Sequence, residues 1–143
     1  MIRFTLLVCL LILLSCKKEE AKDQKWKNEK IEVVNFEQLE AILSQKDGKI
    51  RIVNFWATWC QQCVRSIPVL IELSIELKKE DVNFVGISVD GTRNQLKIKP
   101  FAQSMGITYP VLRDVNSDLM ADLGISAVPT LLVYDSEGTI VRE

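Results

Sequence analysis

Trp56-Ala57-Thr58-Trp59-Cys60-Gln61-Gln62-Cys63 is the stretch on which the reading of this chain turns. The run Ile50–Trp56 leads into it, apolar and β-branched apart from Arg51 and Asn54, as in a central strand covered on both faces. Val64–Lys79 leaves it with Ile67, Leu70, Ile71 and Leu77 at helical spacing. A strand therefore ends where two cysteines begin, and a helix carries on from them. Thiols two residues apart at a helix start are close enough to close a small disulfide ring. The helix dipole and free N–H groups there favour negative charge, so the first thiol ionises more readily than a free cysteine. This is the setting for thiol–disulfide exchange, in which a thiolate attacks a disulfide sulfur and a second thiol resolves the mixed disulfide.

Composition narrows the alternatives. The 143 residues suit one ordinary domain with an appended segment, and a net charge of −1 gives no footprint for nucleic acid. The chain has no histidine, which excludes His-based catalysis. One close cysteine pair leaves two positions of a zinc site empty, so no metal is expected. Of the four cysteines, Cys9 lies in an N-terminal apolar run and Cys16 closes it. A lone C-x-x-C beside a βαβ pattern reads as a redox motif rather than a disulfide framework.

The N-terminus reads as an address. Met1-Ile2-Arg3 is a short charged region, and the apolar run Phe4–Leu14 is too short to span a bilayer. Leu13-Leu14-Ser15-Cys16 resembles the bacterial lipobox, which implies cleavage before Cys16 and lipid attachment to its sulfur. An ordinary signal peptide or an uncleaved anchor is the alternative, and either still exports the domain. The expected organisation is a signal at 1–15, a charged tether at 16–30 and a domain at 31–143. Lys17-Lys18-Glu19-Glu20 also resembles surface-export signals of Bacteroidetes lipoproteins. The expected location is the bacterial cell envelope, at the periplasmic side, the outer membrane or the cell surface.

Within the domain, Ile31–Asn35 reads as a short edge strand, and Phe36–Gln45 as a helix with Phe36, Leu39, Ile42 and Leu43 on one side. Val82–Val89 reads as a second buried strand. Arg93–Met105 is helical material interrupted at Pro100, which suits the first position of a second short helix. Asn116 is the expected cap of a helix through Leu119, Met120 and Leu123, ended by Gly124. Leu131–Tyr134, the turn Ser136-Glu137-Gly138 and Thr139–Val141 form a hairpin. The fold class is α/β: a mixed central sheet flanked by helices.

Together these residues resemble the thioredoxin superfamily, specifically its extracytoplasmic TlpA/ResA-like branch. The resemblance rests on Asn54-Phe55-Trp56-Ala57-Thr58-Trp59-Cys60-x-x-Cys63, on Pro68 at the family's helix kink, on Val128-Pro129-Thr130 as the cis-proline loop, and on a helical insertion near 91–115. It implies that Cys60 is the exposed nucleophile and Cys63 the buried resolving thiol; the position of Cys60 nearer the helix start and the positive charge of Arg65 nearby agree with that. It also implies that Pro129 is cis and presents the Val128 backbone to an extended substrate. Trp59 offers apolar surface to a partner, while Trp56 reads equally as core. No cofactor beyond the Cys60–Cys63 disulfide is implied. The expected partners are protein disulfides or dithiols and a membrane electron donor, with the protein a monomer held to the membrane through Cys16. Cytochrome c maturation is one process the branch serves.

Several positions depart from the family. Gln61-Gln62 replaces the usual proline before the second cysteine, which leaves the redox direction open. Asn54 stands where thioredoxin itself carries a buried carboxylate, as it does in many TlpA-like proteins, and Ser66 stands where ResA-like proteins often carry a glutamate; neither can act as a base, so no general base is named. The chain stops at Val141-Arg142-Glu143, inside the last hairpin strand, and an incomplete C-terminus is expected. Two other functions fit the sequence less well than a dithiol oxidoreductase. A peroxiredoxin-like thiol peroxidase fits poorly, because those proteins place the reactive cysteine in a Thr-x-x-Cys setting. A non-catalytic binding module of the same fold, such as a copper chaperone, needs a histidine that is absent here.

Overall fold

Ile50–Trp56 forms strand β1 at the centre of a five-stranded sheet, in a computed structural model that describes Trp26 and residues 30–142. The signal segment, with Cys9 and Cys16, lies outside the described residues, as does the tether apart from Trp26 and Lys30. Trp26 itself is helical and buried. From Ile31 onward the chain forms one compact unit.

The elements follow in the order α1 (Phe36–Leu43), β1, α2 (Gln61–Glu76), β2 (Val82–Ser88), α3 (Gln95–Met105), β3 (Val111–Arg113), α4 (Asp118–Asp122), β4 (Thr130–Tyr134) and β5 (Ile140–Arg142). The strand order is β3-β2-β1-β4-β5. β2 runs parallel to β1 from Ile50↔Val82 to Trp56↔Ser88, and β4 runs antiparallel to it from Arg51↔Tyr134 to Phe55↔Thr130. β3 adds a parallel strand on one edge and β5 an antiparallel one on the other. The sheet is mixed, as its sequence pattern requires.

Side chains alternate across a strand, so β1 addresses both faces of the sheet. Arg51, Val53 and Phe55 share the face that carries α1, because the Arg51 guanidinium donates to the Leu43 carbonyl at 3.4 Å. Ile52, Asn54 and Trp56 share the other, where Trp56 stacks on Phe101 of α3 with ring centroids 5.2 Å apart. Val53, Phe55 and Trp56 are fully buried. Burying each such side chain contributes about 1.5–3 kcal/mol. On α2 the buried residues are Cys63, Ile67 and Leu70, whereas Val69, Leu73 and Ile75 face outward.

Three local expectations need correction. Ile31–Asn35 makes a single parallel bridge, Val33↔Arg113, rather than a full edge strand, because β3 offers it only three residues. α3 runs unbroken from Gln95 to Met105 with Pro100 inside it. A proline there removes one N–H from the helical ladder, and the packing of Ile98, Phe101 and Ala102 outweighs that loss. Asn116 does not cap α4. The Met120 N–H instead donates to Asp114 Oδ2 at 3.1 Å, while Ser117 enters the helix at φ 61°. Arg51, polar in a central strand, is buried because its guanidinium donates to the Gln45 and Lys49 carbonyls at 3.1 and 3.2 Å and to Asp47 at 2.8 Å.

α1 follows its pattern more closely. Asn35 accepts from the Gln38 N–H at 2.8 Å and Gln38 accepts from the Asn35 N–H at 3.0 Å, a capping box that fixes the start of the helix.

Candidate active site

The two cysteines sit where β1 gives way to α2. Cys60 is the cap residue of α2, extended at φ −87° and ψ 104°, and Cys63 lies in the first helical turn. Their sulfurs are joined as a disulfide, with Cα atoms 5.2 Å apart. The Cys63 N–H donates to Cys60 Sγ at 3.1 Å. A cap side chain normally satisfies such a donor with oxygen; here sulfur does so, and in the reduced form the same N–H stabilises a thiolate.

Access differs between the two. Cys63 is fully buried and Cys60 keeps 7% of its surface. The expected order of exposure holds, but Cys60 is less open than the family resemblance implies, because the Val128 loop covers it. The Val128 carbonyl oxygen lies 3.7 Å from Cys60 Sγ, and the Val128–Pro129 bond is cis. Val128 and Pro129 are half-buried, and Thr130 closes the loop by donating its hydroxyl to the Ala127 carbonyl at 2.8 Å.

The two tryptophans part company. Trp59 is 61% exposed beside the disulfide, whereas Trp56 is wholly buried in the sheet. Gln61, Gln62 and Arg65 are exposed on the first turns of α2. Ser66 donates its hydroxyl back to the Cys63 carbonyl at 3.2 Å. Asn54 is buried on the Trp56 face. Tyr109, also buried, has its hydroxyl pushed up to about 12 by burial, against an opposing hydrogen bond with Asn54.

Sequence reasoning missed the residue that fastens the loop before the cysteines. Asp90, fully buried, accepts the Thr58 N–H at 2.8 Å and the Thr58 hydroxyl at 2.7 Å. In the sequence Asp90-Gly91 reads only as the start of a loop after the second buried strand. Its signal was its place, directly after a buried parallel strand whose neighbour ends in the motif. Among the described residues, no group of three His, Cys, Asp or Glu side chains could hold a metal ion.

A disulfide at the start of a helix, facing a cis-proline loop on a mixed sheet, defines a thioredoxin-like fold with a dithiol site. Over residues 17–143 the chain matches the AhpC/TSA family, and it belongs to that family. Among characterised relatives it is similar to the thiol-disulfide oxidoreductase ResA of Oceanobacillus iheyensis, with 35% identity over 98 residues, covering 68% of this chain and 50% of the relative. The ResA protein of Bacillus anthracis shares 29% identity over 101 residues, covering 71% and 57%. The chain thus spans little more than half the length of these relatives. A solution structure of a thioredoxin-like protein from Porphyromonas gingivalis is 33% identical, with a TM-score of 0.59 over 67% of this chain and 63% of that one. The DsbE-type thiol:disulfide interchange protein of Chlorobium tepidum shares the fold at a TM-score of 0.63, with 23% identity and 70% of each chain covered.

Proposed function

We propose that this chain is a thiol–disulfide oxidoreductase of the bacterial cell envelope, working through Cys60 and Cys63. The observation that carries the reading is the disulfide at the cap of α2, with the Val128 carbonyl 3.7 Å from Cys60 Sγ. In the reducing direction the Cys60 thiolate attacks a substrate disulfide and releases one substrate thiolate. Cys63, deprotonated by solvent or substrate, then attacks Cys60 Sγ. The second substrate thiolate leaves, and the Cys60–Cys63 disulfide carries away the two electrons' worth of oxidation. The substrate strand lies in extended form against the Val128 backbone, with Trp59 supplying apolar contact. Similarity to the ResA proteins supports this class of reaction.

The chain is anchored through lipid on Cys16 and recharged by a membrane electron donor, with protein disulfides of the envelope, including those met in cytochrome c maturation, as its substrates. It acts as a monomer. Export and lipidation are tested by metabolic fatty-acid labelling, which Cys16→Ser abolishes if the lipobox reading holds.

The enzymatic reading is tested with the full chain in detergent, by insulin reduction driven by dithiothreitol. Catalysis above dithiothreitol alone, lost in Cys60→Ser, is expected. Hydrogen peroxide consumption without insulin reduction would overturn the reading in favour of a thiol peroxidase. A reduction potential near or below about −250 mV supports a reductant, and one near about −120 mV reverses the direction to disulfide donation.

A further inference from the structure

Resting on the dithiol reading above, we propose that Asp90 is a positioning residue for the nucleophile. Its carboxylate clamps the turn at Thr58, and through that turn it holds Cys60 Sγ on the Cys63 N–H. Both carboxylate oxygens are used: Oδ1 accepts the Thr58 hydroxyl at 2.7 Å, and Oδ2 accepts the Thr58 N–H and the Ser88 hydroxyl, each at 2.8 Å. Ser88 Oγ in turn accepts the Asp90 N–H at 3.1 Å, so the clamp is itself fixed to the end of β2. Asp90 has no exposed surface, and a buried carboxylate is tolerated only when its lone pairs are filled in this way.

The turn it grips leads straight to the sulfur. Thr58 lies two residues before Cys60, and the Cys60 N–H closes the turn onto the Ala57 carbonyl at 3.2 Å. Just upstream, the Val89 N–H donates to the Trp56 carbonyl at 2.8 Å and ties the same two segments together. A hydrogen bond to a thiolate weakens steeply with misalignment. Loosening the Thr58 turn therefore swings Cys60 Sγ away from its donor before it disturbs the sheet.

The test is the pH dependence of alkylation of reduced Cys60 by iodoacetamide, in the full chain, read at the Cys60 peptide by mass spectrometry. Thr58→Val keeps the backbone N–H and the branched shape but removes the hydroxyl donor. Thr58→Ala removes it while leaving room for water, which guards against a valine variant that fails to fold. Thr58→Ser keeps the hydroxyl. Positioning by Asp90 predicts a raised ionisation midpoint in T58V and T58A, so that alkylation near neutral pH slows roughly three- to tenfold while the alkaline plateau stays at the parent rate. T58S should follow the parent. Unchanged midpoints in folded T58V and T58A, with only a lower melting temperature, would reduce the clamp to a structural tie and overturn the proposal. A parent chain that reduces no insulin would instead sink the oxidoreductase reading, whatever the variants do.

Discussion

Tyr109 links the packing beneath the site to a measurable pH dependence. Its ring tilts against Phe84 with centroids 5.9 Å apart, and only 4% of the residue is exposed. Burial lifts the phenol from 10.0 to about 12, with the hydrogen bond to Asn54 acting in the opposite sense. In the unfolded chain the phenol loses its proton near 10, whereas the folded protein keeps it until about 12. Between those values the unfolded state binds fewer protons, so stability falls as pH rises. The contribution of the neutral phenol is complete below pH 10 and is lost as pH climbs through 12. One unit of displacement is worth about 1.4 kcal/mol, so roughly that much is gone by pH 11 and about 2.7 kcal/mol once both states are ionised. Urea unfolding of the oxidised full chain at pH 8.5 and pH 11, for the parent and for Tyr109→Phe, isolates the effect. Lysines titrating in the same range are common to both proteins and cancel. The difference in stability between parent and Y109F should move by about 1.4 kcal/mol against the parent. A difference that stays constant within about 0.3 kcal/mol would refute the account, because it would mean that Tyr109 ionises at the same pH in both states.

Gly86 and Trp59 give two further tests with opposite signatures. A Cβ on Gly86 would lie 3.0 Å from Trp56 Nε1 and 3.1 Å from Tyr109 Cε2, and both rings are held by their aromatic neighbours. Gly86→Ala should therefore cost about 1–3 kcal/mol, a drop of roughly 5–15 °C in calorimetric melting temperature; a melting temperature within about 1 °C of the parent would show that the rings yield freely. Trp59→Ala, at a largely exposed position, should leave the melting temperature within about 2 °C while slowing insulin reduction about fivefold or more. Unchanged insulin turnover in W59A would remove Trp59 from the substrate surface.

What the sequence made legible was carried by short-range rules. The W-C-x-x-C turn, the apolar run of β1 and the Val-Pro-Thr loop each state their role within a few residues, and the structure brings Cys60, Cys63, Val128 and Pro129 together. What it hid depends on partners distant in the chain. Arg51 only interrupts the apolar run of β1 in the sequence, and the carbonyls of Leu43, Gln45 and Lys49 and the carboxylate of Asp47 that surround its guanidinium appear only in the fold. Pro100 reads as a helix start because the packing that keeps α3 continuous through it comes from Trp56, far upstream. Asp114, not Asn116, caps α4 because Ser117 turns the chain through a left-handed conformation. Asp90 was invisible for the same reason: its donors at Thr58 are 32 residues away.

Strand direction explains why these distant parts meet at the sulfurs. β1 ends at Trp56, and the turn that leads to Cys60 begins there. Because β2 is parallel to β1, its C-terminal end arrives at the same edge of the sheet, with Ser88 opposite Trp56 and Asp90 just beyond. Because β4 is antiparallel, its N-terminal end arrives there too, with Thr130 opposite Phe55 and the Val128–Pro129 loop just before it. One neighbour grips the turn from below through Asp90, and the other covers Cys60 through the Val128 carbonyl. Reversing either strand would carry its loop to the far end of the sheet, about 3.3 Å away for every residue of β1. Two cysteines at a helix start supply the chemistry, but the mixed sheet brings together the groups that orient it.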